Sequence, residues 1–251
     1  MGYPNFENKH LHESLFSPKD YVKYRKVKRK NLPAHYILTY QRSAKAYFLR
    51  KFKPKKLKAH GHLDIYIHKG IGFVKMNGIG SPHAVTTFEE LIALGGKEFL
   101  NIGTVGGLKS PGVFLCTKAL RDEGTSSHYT SHEPFSYPDE RLTNSFRKTL
   151  IQQNLNPIDA ATWTIDAPYR ETKAEIEHYR NKNIATVEME ASALFAVAKY
   201  RKVKIASAFV VSDILGEKWD PQFHKLNLKV TLNKLIDAGV SCLQKHKRRR
   251  Y

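Results

Sequence analysis

Cysteine is nearly absent from this chain: Cys116 and Cys242 are the only two in 251 residues, and they lie far apart. That excludes a disulfide framework and a thiolate zinc site, and it points to a reducing, cytoplasmic setting. Long apolar runs are missing too. No stretch approaches the roughly 20 residues that a membrane-crossing helix needs, so no membrane span is expected. The start, Met1-Gly2-Tyr3-Pro4-Asn5-Phe6-Glu7, has no apolar signal core, and Gly2 lacks the downstream Ser or Thr of a myristoylation motif. Repeats, low-complexity tracts and Pro/Gly-rich linkers are also lacking, which leaves one large domain of ordinary α/β size.

Acidic residues are scarce as well, 23 against 42 Lys and Arg, for a formal charge of +19. The excess is concentrated in Lys19 to Lys30, Lys51 to Lys58 and Lys245 to Arg250, so the remainder is nearly neutral. Two readings stand: a surface for non-specific polyanion contact, or solvated faces and a basic tail. No zinc finger, aromatic RNA-binding pattern or helix-turn-helix cue accompanies the charge. Residues 1–30 read as a basic polar arm, and residues 31–251 as the folded domain with a basic C-terminal tail.

What is present is a regular alternation. Tyr36 to Tyr40 reads as a strand and Ala44 to Phe52 as a helix; Leu63 to His68 and Ile71 to Met76 form a hairpin around Lys69-Gly70. Gly78-Ile79-Gly80-Ser81-Pro82 follows a strand and opens a helical pattern, His83 to Leu94, in which Val85, Phe88, Leu91 and Ile92 make one stripe. Such a turn suits anions, because free backbone N–H groups point outward at a helix start. Phe99 to Leu108 predicts a strand running into a glycine-rich loop, where Thr104 offers a hydroxyl and an N–H. Val113 to Thr117 and Thr162 to Asp166 read as further strands. Asp139 to Gln153, Arg170 to Asn181 and about Pro221 to His246 read as helices, and Arg121 to Arg141 as a long polar, aromatic loop. Together these predict an α/β domain around a mostly parallel sheet.

Two carboxylates stand where a globular core does not favour them. A helix starting near Glu188 places Glu190 on the same face as Ala193, Leu194 and Val197. Ile205 to Val211 is a short, non-alternating apolar run, as in a strand covered on both faces, and it leads into Ser212-Asp213. Carboxyl ends of such strands carry ligands, so Glu190 and Asp213 are expected to face one crevice. The plainer alternatives are a helix cap or ion pair for Glu190 and a turn for Asp213.

In order along the chain, Gly78-Ile79-Gly80-Ser81-Pro82, Glu89-Glu90-Leu91, Phe99 to Gly106, Asp166-Ala167-Pro168-Tyr169, Val187-Glu188-Met189-Glu190-Ala191 and Ser212-Asp213 resemble the nucleoside phosphorylase family. That family includes uridine phosphorylase, hexameric purine nucleoside phosphorylase and methylthioadenosine nucleosidase, and the likeness covers roughly Tyr36 to Leu243. It implies a single-domain three-layer α/β/α fold with a central mixed, mostly parallel sheet, and cleavage of a nucleoside N-glycosidic bond, with a purine as base. Glu190 then resembles the family glutamate that grips the ribose hydroxyls, with Met189 beneath the sugar and Glu188 and Gly80 beside it. Asp213, next to Ser212, resembles the aspartate that protonates or hydrogen-bonds the departing purine at N7. Tyr169 would shape the base pocket together with the aromatic loop around Tyr129 and Phe135. Trp163 reads equally as core packing. No metal or cofactor is implied beyond inorganic phosphate as co-substrate, which Asn101 and Arg42 would bind, with Thr104 binding phosphate or the sugar. Partners implied are the nucleoside and further copies of the chain in a dimer or hexamer.

Departures weaken the phosphate half of that likeness. The family's Gly-Asp-Pro-x-Arg turn is replaced by Leu38-Thr39-Tyr40-Gln41-Arg42-Ser43-Ala44-Lys45, and Asn101 stands where a phosphate arginine is usual. Arg42, Lys45 or His62 would have to compensate. Hydrolysis by water is the first alternative, although no acid lies between Tyr36 and Arg50 to activate it. A catalytically weak member that binds ligand or polyanions is the second.

Overall fold

The computed structural model describes residues 4–27, 32–60 and 63–248. Lys28, Arg29, Lys30, His62, Arg249 and Arg250, all invoked above, lie outside them.

The strand predicted at Tyr36 to Tyr40 is β1 (His35–Thr39), buried along its whole length. Tyr36 and Leu38 enter one hydrophobic layer and Ile37 the opposite one. Both faces are therefore covered, which is why the run does not alternate. Helix α2 (Arg42–Phe52) follows, and then a meander of β2 (Lys55–His60), β3 (Leu63–His68) and β4 (Ile71–Lys75). The β3–β4 hairpin turns on Lys69 and Gly70, both at positive φ. Strand β2 was not anticipated: it begins within the basic segment Lys51 to Lys58 and lies at the outer edge of the sheet, where lysines discourage edge-to-edge pairing.

Helix α3 (Ser81–Ala93) leads to β5 (Glu98–Gly107), β6 (Val113–Asp122), the short β7 (Phe135–Ser136), α4 (Glu140–Gln152) and β8 (Ile158–Ile165). Then come α5 (Lys173–Asn181), β9 (Ile184–Glu188), α6 (Ala191–Arg201), β10 (Lys204–Leu215), β11 (Trp219–Pro221) and α7 (Leu226–Arg248). The sheet is mixed. Strand β5 runs parallel to β1 and β10, and β8 runs parallel to β6 and β9. Antiparallel pairings of β10 with β6 and of β9 with β5 close these five strands into a ring, while β1, β4, β3 and β2 extend from β5 as an open wing.

Helices cover both faces. Phe88 and Leu91 of α3 and Ala191 to Ala198 of α6 share one core; Phe48 of α2, Phe146 of α4 and Leu235 and Ile236 of α7 share the other. Trp163, Ile176 and Val187 fill a third cluster under α5.

Several expectations are corrected. Glu188 does not begin a helix; it ends β9, and α6 starts at Ala191 with Glu190 in the N-cap position. Gly103, Gly106 and Gly107 lie inside β5 rather than in a loop. A side chain at Gly106 would press on Leu215 and Val187, so the glycine marks the close approach that seals the ring. The last helix begins at Leu226, because Pro221 belongs to β11. Residues 121–141 contain the end of β6, a 3-10 turn (Ser126–His128) and β7 rather than one open loop. Within the arm, helix α1 (Pro18–Tyr24) carries a Ser17/Asp20 capping box and buries Val22 in the α3 core.

Candidate functional site

Glu190 sits at the junction between β9 and α6 and is almost completely buried. Its Oε1 accepts a 2.6 Å hydrogen bond from the Gly80 backbone N–H. Gly80 holds φ at 93°, a conformation that suits glycine, and Ser81 Oγ donates to the Met189 carbonyl at 2.7 Å. The glycine turn before α3 is thereby tied to Met189-Glu190 from both sides, and Met189 Cε lies 3.9 Å from where a Gly80 side chain would begin.

Glu188 has different work. Its Oε2 accepts from the N–H groups of Glu190 (2.8 Å) and Ala191 (2.7 Å), and its Oε1 accepts from Thr164 Oγ1. It is the side chain that caps α6, the role the plainer reading gave to Glu190. Thr164 in turn accepts from the Ser192 N–H, and Ser192 Oγ donates to Glu123. Burial pushes both carboxyls up, Glu188 to about 8 with the Glu190 charge adding to it, and Glu190 to about 7 with the Asp166 charge adding to it.

Asp213 is half-buried and lies opposite Gly106, which pairs on its other side with Val187. Ser212 Oγ is 2.8 Å from its Oδ1, and Trp219 Nε1 donates to its Oδ2 at 2.9 Å. Glu171, which sequence reasoning did not single out, stands near Asp213; burial first and the Asp213 charge second push it up to about 7. The only signal that marked it was its place just beyond the Asp166 to Tyr169 motif. Asp166 adds to the charge around Glu190 and accepts from the Gly124 N–H at 2.8 Å.

On the other side, Thr104 Oγ1 accepts from Gln41 Nε2 at 3.0 Å, and Gln41 Oε1 accepts from Thr39. Gln41 precedes α2, whose first turn carries Arg42 and Lys45. Lys75 is the register partner of Thr39, and its ammonium is pushed down by partial burial and by Arg42 and Lys45. None of these three cations has an ion-pair partner among the described residues. Asn101 does not join them: it is fully buried and bonded to Ser207 at 3.3 Å.

The remaining predicted residues separate. Tyr169 is fully exposed on a 3-10 turn (Pro168–Arg170), and Trp163 is fully buried with its Nε1 on Asp122, a packing role. Tyr129 packs edge-on against Tyr200 beside a cleft that runs from Pro82 and Asp166 to His128 and is walled by Lys9 and His12 of the N-terminal segment. No cluster of three or more metal-ligating side chains occurs among the described residues, and no described helix is long and apolar enough to cross a membrane.

A glycine turn is anchored on a buried glutamate, and Asp213 lies on the closed strands opposite Gly106; residues 43–243 match the sequence profile of the phosphorylase superfamily. The chain belongs to that superfamily. Among relatives of known name, it is 30% identical over 142 residues to guanosine phosphorylase of Halorubrum lacusprofundi, covering 53% of this chain and 57% of that one. It is 29% identical over 163 residues to purine nucleoside phosphorylase of Plasmodium vivax, covering 61% and 65%. The aligned part thus spans less than two thirds of either relative. In fold it is similar to AMP nucleosidase of Bacteroides thetaiotaomicron, with a TM-score of 0.75 at 19% identity over 92% of this chain and 100% of that one. The chain is thus similar in sequence to proteins named as phosphorylases and in fold to one named as a nucleosidase.

Proposed function

We propose that the protein cleaves the N-glycosidic bond of a purine ribonucleoside and transfers the ribosyl group to phosphate. The observation that carries this reading is Glu190: a buried carboxyl held on one oxygen by a backbone N–H, with Met189 alongside. Such a group can accept from both vicinal ribose hydroxyls, and it favours the positive charge that builds on the sugar as the bond breaks. A phosphate oxygen forms the new bond to C1′ while the bond to the base nitrogen breaks. The electron pair leaves with the base, and a proton must reach that base. Glu171, raised to about 7, retains one near neutral pH beside Asp213, so the pair can deliver it at N7. Arg42, Lys45 and Lys75, without an ion-pair partner among the described residues and close to the Gln41–Thr104 contact, supply charge for the phosphate.

Hydrolysis is the second reading. The observation favouring it is that the Thr104 hydroxyl is already engaged by Gln41 and that Asn101 is bound to Ser207. Incubation with inosine, guanosine, adenosine, methylthioadenosine and uridine, with and without phosphate, separates the two. Base release that requires phosphate supports transfer, and equal release without it supports hydrolysis. Absence of release from every nucleoside sinks both. We further propose a homo-oligomer, supported by the exposed Phe6, Leu11, Leu15, Phe16 and Tyr24 of the N-terminal segment, and a reducing, cytoplasmic setting, supported by two buried free thiols.

A further inference from the structure

Tyr40, immediately after β1, stands where the phosphate turn expected from the resemblance is missing. Its ring lies over Gly103, with two ring carbons 3.3 and 3.6 Å from where a side chain on that glycine would begin. Its hydroxyl oxygen is buried and has no hydrogen-bond partner among the described residues. Leaving such a group unpaired costs about 1–3 kcal/mol, so each instance needs a reason.

Tyr36 makes the contrast. Its hydroxyl is also buried without a partner, but it stacks on Phe99 at 5.5 Å within the apolar core, and burial alone raises its pKa. Around Tyr40 burial is joined by the charges of Glu190 and Glu188, which together hold the phenol proton on far above the ordinary range. Tyr40 is therefore a fixed donor beside the carboxyl pair. Strand alternation decides which part of a ligand it meets. Tyr36, Leu38 and Tyr40 share the face that packs toward α3 and α6, whereas Thr39 and its partner Lys75 follow Ile37 and Phe73 on the opposite, α2 face. Lys75 is thus on the other side of the strand from Tyr40, and Asp213 is across the ring.

We infer that the Tyr40 hydroxyl donates to one hydroxyl of the ribose diol gripped by Glu190, and so selects ribonucleosides over deoxyribonucleosides. A sugar hydroxyl that gives its proton to Glu190 still offers lone pairs, which an unpaired phenol O–H can fill. The inference rests on the glycosidic-cleavage reading and names the sugar that site takes.

The test is Tyr40→Phe, which keeps the ring over Gly103 and removes only the buried hydroxyl. Thermal stability is expected to hold or rise, while kcat/KM for the ribonucleoside falls about tenfold. With the 2′-deoxy or the 3′-deoxy nucleoside, whichever lacks the accepting hydroxyl, wild type and Tyr40→Phe are expected to be equal. Binding of the same nucleosides by calorimetry gives the same comparison without turnover. Equal behaviour of the two proteins on the ribonucleoside, or the same penalty on all three sugars, overturns the inference and leaves glycosidic cleavage standing. Wild-type protein that neither cleaves nor binds any nucleoside overturns both.

Discussion

The proposed sugar half and the proposed phosphate half of the site are built from different materials. Glu190 and Glu188 are buried and held by backbone N–H groups of Gly80, Glu190 and Ala191, so their positions follow from where β9 turns into α6. Arg42, by contrast, is exposed, Lys45 lies over the Tyr66 ring at 5.1 Å, and Lys75 is half-buried. Backbone-held carboxyls are preorganised and sensitive to single atoms, whereas long cationic side chains supply charge without fixed geometry. The first half should therefore fail sharply when altered and the second gradually.

Glu190→Gln tests the sharp half and should have the largest effect, a loss of roughly 100- to 1000-fold in kcat/KM, as when one preorganised polar group at a reacting centre is removed. Steady-state assays with inosine or guanosine measure it, and near-normal activity would remove Glu190 from the site. Glu188→Ala should instead show itself in stability. Losing the α6 cap and leaving Thr164 unpaired should cost about 2 kcal/mol in chemical denaturation; an unchanged midpoint would mean that the cap is dispensable. Lys75→Met tests the gradual half. The KM for phosphate should rise roughly tenfold with kcat little changed, as for a charge that binds without taking part in the bond change. A KM that does not move argues against phosphate on that face.

The remaining effect is in pH. Glu188 and Glu190 are raised from 4.5 to about 8 and about 7, so between pH 4.5 and 8 the folded chain holds protons that the unfolded chain has released. Stability from this pair is full below pH 4.5 and is lost as pH rises toward 8, by at most about 1.4 kcal/mol per pH unit for each proton. Glu98, at the opposite end of the sheet with His35 and His246, has the reverse sign. Those partners hold its carboxyl well below the usual range, so its contribution is present above pH 4.5 and is lost in acid. Melting curves from pH 3 to 8 should separate them: Glu190→Gln flattens the neutral decline, and Glu98→Gln the acid one. A neutral decline left unchanged in Glu190→Gln would mean that this carboxyl is ionised throughout.

Elements marked by an unbroken apolar run or a single apolar stripe were legible from residues alone. The runs at β1 and β10, the Lys69-Gly70 hairpin and the stripe of α3 carry their pattern in a short window. Strand β9 was not, because Ala185-Thr186-Val187-Glu188 is brief and runs straight into helix formers. Its pairing with β8 and with the end of β5 overrides that local pattern. The glycines of β5 suggested a loop for a similar reason: only ring closure against Val187 and Leu215 explains glycines within a strand. In the candidate site, Glu190, Met189, Gly80 and Asp213 stood out as motif residues. Glu171, Gln41, Lys75 and the unpaired Tyr40 hydroxyl were not, since each matters through a neighbour distant in the chain.

By itself, the amino-acid order determined the alternation of strands and helices, the superfamily and the kinds of side chain available for chemistry. Only the tertiary structure decided which glutamate of Glu188-Met189-Glu190 caps α6 and which is held by the glycine turn before α3. Capping requires free N–H groups within reach, and where those point depends on how β9 meets α6, which the pairing of β9 with β8 and β5 dictates.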